Sequence, residues 1–323
     1  MSHAIVIHET GGPEVLKWEP VEVGEPGPGQ VRLRQHAAGL NFIDVYHRTG
    51  FYPQPLPFTP GVEGAGVVES VGQDVDNVTA GDRVAYAGPI GGYAETRLIA
   101  ADRLVKLPAT IGFEEAAAMM LQGMTARMLL RSVYPVAAGD TILVHAAAGG
   151  VGLILCQWAA ALGATVIGTV STDDKAELAR LHGCHHPIVY TRQDFVAEVE
   201  SITHGGKLPV VYDSVGQDTF LKSLDCLRPR GLMVTFGQSS GPIEPFSPNV
   251  LQQKGSLFMT RPTMANYTAS RADLDASAAE LFEIVASGQV RIEVKQRYPL
   301  EQAAEAHRAL EARVTSGSTV FTV

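Results

Sequence analysis

Between Thr141 and Gly237, apolar runs of strand length alternate with segments of helix length, and this alternation restricts the fold more than any other feature of the chain. TILVHA (141–146) precedes GGVGLILCQWAAALG (149–163), and TVIGTV (165–170) precedes DDKAELARLHG (173–183). PIVY (187–190) precedes DFVAEVESITHGG (194–206), and LPVVYDSVG (208–216) precedes DTFLKSLDCLRPRG (218–231), with LMVTFG (232–237) closing the series. Strands this apolar are buried on both faces, and helical crossovers join them with one hand, so the segment predicts a doubly wound parallel sheet of Rossmann type.

The flanking sequence has a different rhythm. AIVIHE (4–9), VRLRQHAAGL (31–40), GVEGAGVVESVG (61–72), DRVAYA (82–87) and AETRLIA (94–100) are short strands cut by turns such as GEPGPGQ (24–30), with little helix. FEEAAAMMLQGMTARMLLRSV (113–133) predicts one helix with an acidic first turn. After the alternating segment come a helix at 271–288 and then strand, helix and strand over 291–323. A chain of 323 residues is long for one core. We expect a β-rich domain, residues 1–122 completed by 264–323, and a Rossmann-type domain over 123–263.

The turn after TILVH reads A-A-G-G-V-G, with Ala147, Gly149 and Gly152 at the positions of the G-x-G-x-x-G fingerprint. Gly149 lets the backbone approach a pyrophosphate, Gly152 lets helix and strand pack closely, and Ala147 is acceptable if its φ is negative. The helix start offers unpaired N–H groups to phosphate. An NAD site places an acid at the end of the second strand, about 20 residues on. Here Ser171 stands at that turn, Asp173 and Asp174 open the next helix, and Lys175 is near enough to meet a 2′-phosphate. The expected cofactor is NADPH, with Tyr190 either beside the adenosine or packing at the sheet edge.

The formal net charge is −9 with no long basic run, which argues against extended nucleic-acid binding. No stretch of about 20 apolar residues predicts a membrane span, and the first residues lack the pattern of a secretory signal. Cys156, Cys184 and Cys226 form no CxxC pair and fit buried thiols in a reducing, cytoplasmic compartment. Catalytic zinc needs about three Cys, His or carboxylate ligands. Asn41 and Val62 stand where zinc enzymes of this layout have a thiolate and a histidine, so no metal is expected. No G-x-S-x-G elbow is present. The remaining polar cluster, Asn41, Asp44, Tyr46 and Tyr52, suits an acceptor that is already electron-poor, a quinone or an activated double bond, with the proton from water or Tyr46.

Taken together, GGPEVL, GLNFIDVYHRTGFYP, PGVEGAGVVESVG, HAAAGGVGLILCQWAAALGA, VVYDSVG, SLDCLRPRGLMVTFGQSSG and KGSLFMTRP resemble, nearly end to end, the zinc-free NADPH:quinone oxidoreductases. This is the zeta-crystallin-like branch of the medium-chain dehydrogenase/reductase superfamily. The resemblance implies an α/β protein, a GroES-like β-rich catalytic domain plus a Rossmann doubly wound domain, with hydride transfer in the cleft between them and a homodimer as the usual assembly. It implies that Ala147, Gly149, Gly150, Val151 and Gly152 hold pyrophosphate, and that Ser171, Lys175 and Tyr190 hold the 2′-phosphate region. Phe236, Gly237, Gln238, Ser239 and Arg261 then line the rest of the cofactor, and Asn41, Asp44, Tyr46 and Tyr52 lie near nicotinamide and quinone. Gln238 replaces a more usual Asn and keeps the amide. Reduction of the C=C bond of α,β-unsaturated carbonyls, or non-catalytic binding of NADPH or RNA, are the alternatives.

Overall fold

The computed structural model describes residues Met1–Val323. The chain forms two compact units, one of 1–124, 268–286 and 292–323, the other of 125–267 and 287–291.

The first unit is built on a seven-stranded sheet whose long central strand, Gln30–Leu40, pairs antiparallel with Glu63–Val71, Thr96–Ala100 and the C-terminal strand Ser318–Thr322. Period-2 burial runs through its first half: Val31, Leu33 and Gln35 face inward, and Arg32 and Arg34 do not. Two register shifts, at Arg32/Leu33 and Gln35/Ala37, bend it against Glu63–Val71. The C-terminal strand contributes Phe321 to a cluster with Ile5, Ile7, Leu40 and Tyr93.

Against the expectation of little helix, Phe42–Arg48 is helical. Its start is set by one arm of a capping box: Asp44 Oδ2 accepts the backbone N–H of Asn41 at 2.9 Å. The expected helix over 113–133 is broken into Phe113–Ala117, Met120–Arg127 and a π-helical turn, Met128–Val133. The second piece begins where Glu63 Oε2 accepts the N–H of Leu121 at 2.7 Å, a carboxyl group at a helix N-terminus.

The second unit carries six parallel strands in the spatial order His186–Val189, Thr165–Val170, Thr141–Val144, Leu208–Asp213, Leu227–Thr235, Phe258–Thr260. The chain winds outward from Thr141–Val144 in one direction, then returns to its other side with Leu208–Asp213, so these two strands flank the point where the winding reverses. Leu143, Ile167, Val211 and Met233 form the buried apolar interior. The helix expected over 218–231 stops early: Phe220–Ser223 is helical, Leu224–Cys226 is a 3-10 turn, and the strand already begins at Leu227. Pro229 cannot sit in a helix interior, and Arg230 adopts φ 61, so the segment becomes an irregular strand start instead. No helix is long and apolar enough to cross a membrane.

Candidate functional site

Parallel strands point their C-terminal ends to one edge, and every residue expected to hold the cofactor follows such an end. Ala147, Gly149, Gly150, Val151 and Gly152 follow Thr141–Val144, Ser171 and Lys175 follow Thr165–Val170, and Tyr190 follows His186–Val189. Phe236, Gly237, Gln238 and Ser239 follow Leu227–Thr235, and Arg261 follows Phe258–Thr260. Ligands of open α/β sheets bind at this edge, by the reversal point.

The turn is shaped by missing side chains. A Cβ on Gly152 would lie 2.2 Å from the Ala146 carbonyl oxygen and 2.8 Å from Ala147 backbone, so only glycine lets the helix Gly150–Ala161 seat against its strand. Gly149 caps that helix with its backbone alone. The left-handed conformation of the turn falls on Ala146 (φ 54), leaving Ala147 in ordinary space, where its N–H donates to Thr169 O at 3.0 Å. The methyl of Ala147 has its own compensation. A Cβ on Gly168 would come within 2.6 Å of both Ala147 Cβ and Cys184 Sγ, so Gly168 on the next strand is bare where Ala147 is not.

Around the second strand end, Thr172 caps the helix Asp173–Leu181 by accepting the Lys175 N–H at 3.3 Å, which fixes Lys175 in its first turn. Asp173, the nearest acid, is ion-paired with Arg192, whose guanidinium holds its carboxyl below the usual range. Tyr190 is 42% exposed, and its N–H continues the pairing to Val170 O at 3.1 Å. Further along the edge, Arg261 donates to Gln238 Oε1 at 3.1 Å and to Thr235 Oγ1 at 3.2 Å, so two of the expected cofactor residues are joined directly.

Sequence reasoning missed the polar props beneath this edge. Asp213, fully buried, accepts the N–H groups of Val215 (2.7 Å) and Gly216 (3.2 Å) and the Thr219 hydroxyl (2.8 Å), folding the loop beside the glycine turn. His145 lies between Thr169 Oγ1 and Ser223 Oγ, each at 2.8 Å. Ser223 spends its hydroxyl proton on Thr219 O, so His145 donates from Nε2 and accepts at Nδ1; burial lowers its pKa and keeps it neutral. VVYDSVG held the signal for Asp213, because an acid followed by small residues at a strand end forms a side-chain-stapled turn.

In the first unit, Asn41, Asp44, Tyr46 and Tyr52 come together around the helix Phe42–Arg48. Tyr46 and Tyr52 pack edge-on with ring centroids 5.2 Å apart, joined by Phe42 and Phe51. Both tyrosines keep partial exposure, whereas Asp44 has none. Asp44 therefore belongs to the support of the helix and not to its reachable surface. Its Oδ2 also accepts the Tyr93 hydroxyl at 2.8 Å, and burial outweighs these hydrogen bonds to push its carboxyl up to about 7. Behind Tyr93, His307 Nε2 lies at 3.4 Å and its Nδ1 at 3.2 Å from Arg48, which pairs bidentately with Glu311 at 2.8 Å. Burial and Arg48 push His307 down to about 3.

Asn41 Nδ2 donates to Glu63 Oε1 at 2.5 Å, and Asn41 Oδ1 accepts from Gln122 at 3.1 Å. Burial pushes the Glu63 carboxyl up to about 8. The donor set at this position, two amides and one carboxyl already accepting two N–H groups, does not fit zinc, and no three His, Cys, Asp or Glu side chains meet anywhere in the chain.

Two family models match. The alcohol dehydrogenase GroES-like domain covers 27–109 and the zinc-binding dehydrogenase family covers 150–282. Over 99% of both chains, the sequence is 52% identical to a quinone oxidoreductase of Pseudomonas aeruginosa. The chain belongs to the quinone oxidoreductase family. That family sits within the medium-chain dehydrogenase/reductase superfamily, with a GroES-like domain joined to a Rossmann-type α/β domain. An Escherichia coli quinone oxidoreductase solved in complex with NADPH matches 99% of this chain and 100% of its own, at 46% identity and a TM-score of 0.98. A 2-haloacrylate reductase of Burkholderia is 48% identical over 99% of both chains. A relative named 2-haloacrylate reductase thus stands at nearly the same distance as those named quinone oxidoreductase. The zinc-binding label of the second model describes that wider family and not the donor set around Glu63.

Proposed function

We propose that this chain is a metal-independent, NADPH-dependent quinone reductase. The observation that carries this reading is the shared sheet edge: all thirteen expected cofactor residues follow the C-terminal ends of parallel strands around a glycine turn that a single added Cβ would fill. Ala147, Gly149, Gly150, Val151 and Gly152 would cradle the pyrophosphate with backbone N–H groups and the start of the helix Gly150–Ala161. Ser171, Lys175 and Tyr190 would take the adenosine 2′-phosphate; the Asp173–Arg192 pair keeps the nearest acid occupied, which favours NADPH over NADH. Phe236, Gly237, Gln238, Ser239 and Arg261 would line the remainder.

When bound, NADPH supplies a hydride. The chain's part is to orient an acceptor that needs no Lewis acid, and Asn41, Tyr46 and Tyr52 are its proposed contacts, with Asp44 fixing the helix start beneath them. The Tyr46 phenol is the proposed proton donor to the reduced oxygen. Support for quinones comes from the relatives of that name at 47–52% identity over nearly the whole chain. Reduction of α,β-unsaturated carbonyls is the second reading, favoured by the Burkholderia relative.

NADPH oxidation measured against a panel of p-quinones and of alkenals decides between them. Turnover with quinones at least 10-fold above that with alkenals is expected, and turnover with alkenals alone overturns the proposal. We also place the protein in a reducing compartment, since its three cysteines are free and buried. It is proposed to act as a homodimer: Phe258–Thr260 is an edge strand, and its Phe258 is 61% exposed. Light scattering tests the dimer, and Phe258→Glu should shift it toward monomer.

A further inference from the structure

The first unit contains two hydrogen-bond chains that both end on buried carboxyl groups; Asn41 lies within one and donates its backbone N–H to the end of the other. Arg48 donates to His307, His307 to Tyr93, and Tyr93 to Asp44, which also takes the Asn41 backbone N–H. Ser318 Oγ donates to Gln122 Oε1 at 2.7 Å, Gln122 Nε2 to Asn41 Oδ1 at 3.1 Å, and Asn41 Nδ2 to Glu63 Oε1 at 2.5 Å. The first chain has a fixed direction, because guanidinium only donates. The second does not. Each amide in it reverses by turning over, and Ser318 has a second acceptor ready, the Ala118 carbonyl at 3.2 Å.

Leu121 decides which direction the second chain takes. Its backbone N–H donates to Glu63 Oε2 at 2.7 Å, so that oxygen always accepts. An ionised Glu63 accepts at Oε1 as well, and Asn41 must present Nδ2 to it. A protonated Glu63 carries its proton on Oε1 and must donate, so Asn41 turns Oδ1 toward it, Gln122 turns in step, and Ser318 swings to Ala118.

We propose that Glu63 is a positioning residue whose protonation reverses the Asn41–Gln122–Ser318 chain and thereby exchanges the donor and acceptor that Asn41 offers to substrate. At each of the two amide positions a spare N–H is exchanged for a spare lone pair, or the reverse, so the same residue suits a carbonyl oxygen in one state and a hydroxyl in the other. This rests on the reading above that Asn41 meets the substrate.

The groups facing Glu63 leave it one titrating neighbour. Tyr86 and Tyr93 have pKa values raised by burial, Arg97 and Arg48 bring guanidinium groups beside those phenols, and His307 stays neutral down to about pH 3. Asp44 lies across Asn41 and its like charge raises Glu63 further, so the two acids titrate as a coupled pair between about pH 7 and about pH 8, both protons coming from solvent.

The test is a pH titration of side-chain amide resonances in the full chain without cofactor or quinone. In the native protein, the Asn41 and Gln122 amide signals should shift together through one transition near pH 8. In Glu63→Gln the Leu121 N–H holds the new amide's oxygen, its NH2 faces Asn41, and the chain is locked in the protonated arrangement; the joint transition should vanish. In Asp44→Asn it should persist at lower pH, because a like charge is gone. Independent movement of the two amides, or a joint transition that survives Glu63→Gln and disappears in Asp44→Asn, overturns the proposal. The pH dependence of quinone KM, with kcat read separately, should follow the same transition. A flat KM beside moving resonances leaves the switch standing and removes Asn41 from substrate contact.

Discussion

The two units present opposite kinds of site. In the second, the geometry is made by backbone and by missing side chains: Gly149, Gly152 and Gly168 shape a turn whose working groups are N–H donors. In the first, it is made by buried side chains drawn from distant places along the chain: Ser318, Gln122, Asn41 and Glu63 are linked in one run, and Tyr93 meets Asp44 in another. A backbone site tolerates almost no added volume and is indifferent to pH. A side-chain network is governed by protonation.

The largest expected effect is at Gly152. Gly152→Ala places a methyl 2.2 Å from the Ala146 carbonyl, and the obstacle is backbone that cannot rotate away. Overpacking of this kind costs about 3 kcal/mol. Denaturant unfolding should register that loss, and the rise in Tm on adding NADPH should disappear. A variant with native stability and an undiminished NADPH shift would show that the turn is not volume-limited, and the comparison would fail on its stronger side.

For the first unit the corresponding variable is pH. Asp44 and Glu63 have folded-state pKa values raised to about 7 and about 8 by burial, so between their unfolded values near 4 and those limits the folded state holds more protons than the unfolded one. Stability contributed by their protonated forms is complete at about pH 4 and declines as pH rises to 8. The slope is about 1.4 kcal/mol per pH step of one for each acid that is protonated in the folded chain and ionised in the unfolded one. Glu63→Gln should flatten the upper part of that decline in a Tm profile from pH 5 to 9. A wild-type profile that rises through this range would mean the two acids are not held neutral.

How much of each site is legible in the sequence follows from the same contrast. The glycine turn, Ser171 and Lys175 are contiguous with the strand and helix that position them, so spacing alone locates them. The fingerprint even states its condition, a negative φ at Ala147, and the structure meets it by moving the left-handed residue to Ala146. Gly168, which makes room for the Ala147 methyl, lies on a neighbouring strand and leaves no local trace. Asn41 and Asp44 are visible as polar residues, but N-x-x-D before an apolar helix face is also a helix start, a meaning that emerges only with the folded helix. Glu63 is marked in the sequence only by its neighbour Val62, which stands where a zinc enzyme of this layout has a histidine. Its part in the network depends on partners 22 and 58 residues away, Asn41 and Leu121, and no periodicity reports such a meeting.

Lys175 tests whether nucleotide recognition in the second unit depends on a side chain as well as on backbone. The proposed 2′-phosphate contact is a charge-assisted hydrogen bond at a reachable position, worth about 1.5–3 kcal/mol. Lys175→Ala should therefore weaken NADPH by a factor on the order of 10 to 100 and leave NADH nearly unchanged. Equal loss for both nucleotides would return recognition to the backbone and remove Lys175 from the 2′-phosphate.

The smallest effect is also the most direct probe of a backbone-made site. Ala146 holds φ 54, where a Cβ crowds the following carbonyl at a cost of about 1–2 kcal/mol. Ala146→Gly removes that crowding but gives the unfolded chain more freedom, which takes back about 0.4–1 kcal/mol. The balance predicts a net stabilisation of about 0–1.6 kcal/mol, with NADPH affinity within twofold of the native value, since the backbone path is unchanged. A destabilised variant would mean the Ala146 methyl packs usefully where it stands, and that even this turn is held partly by a side chain.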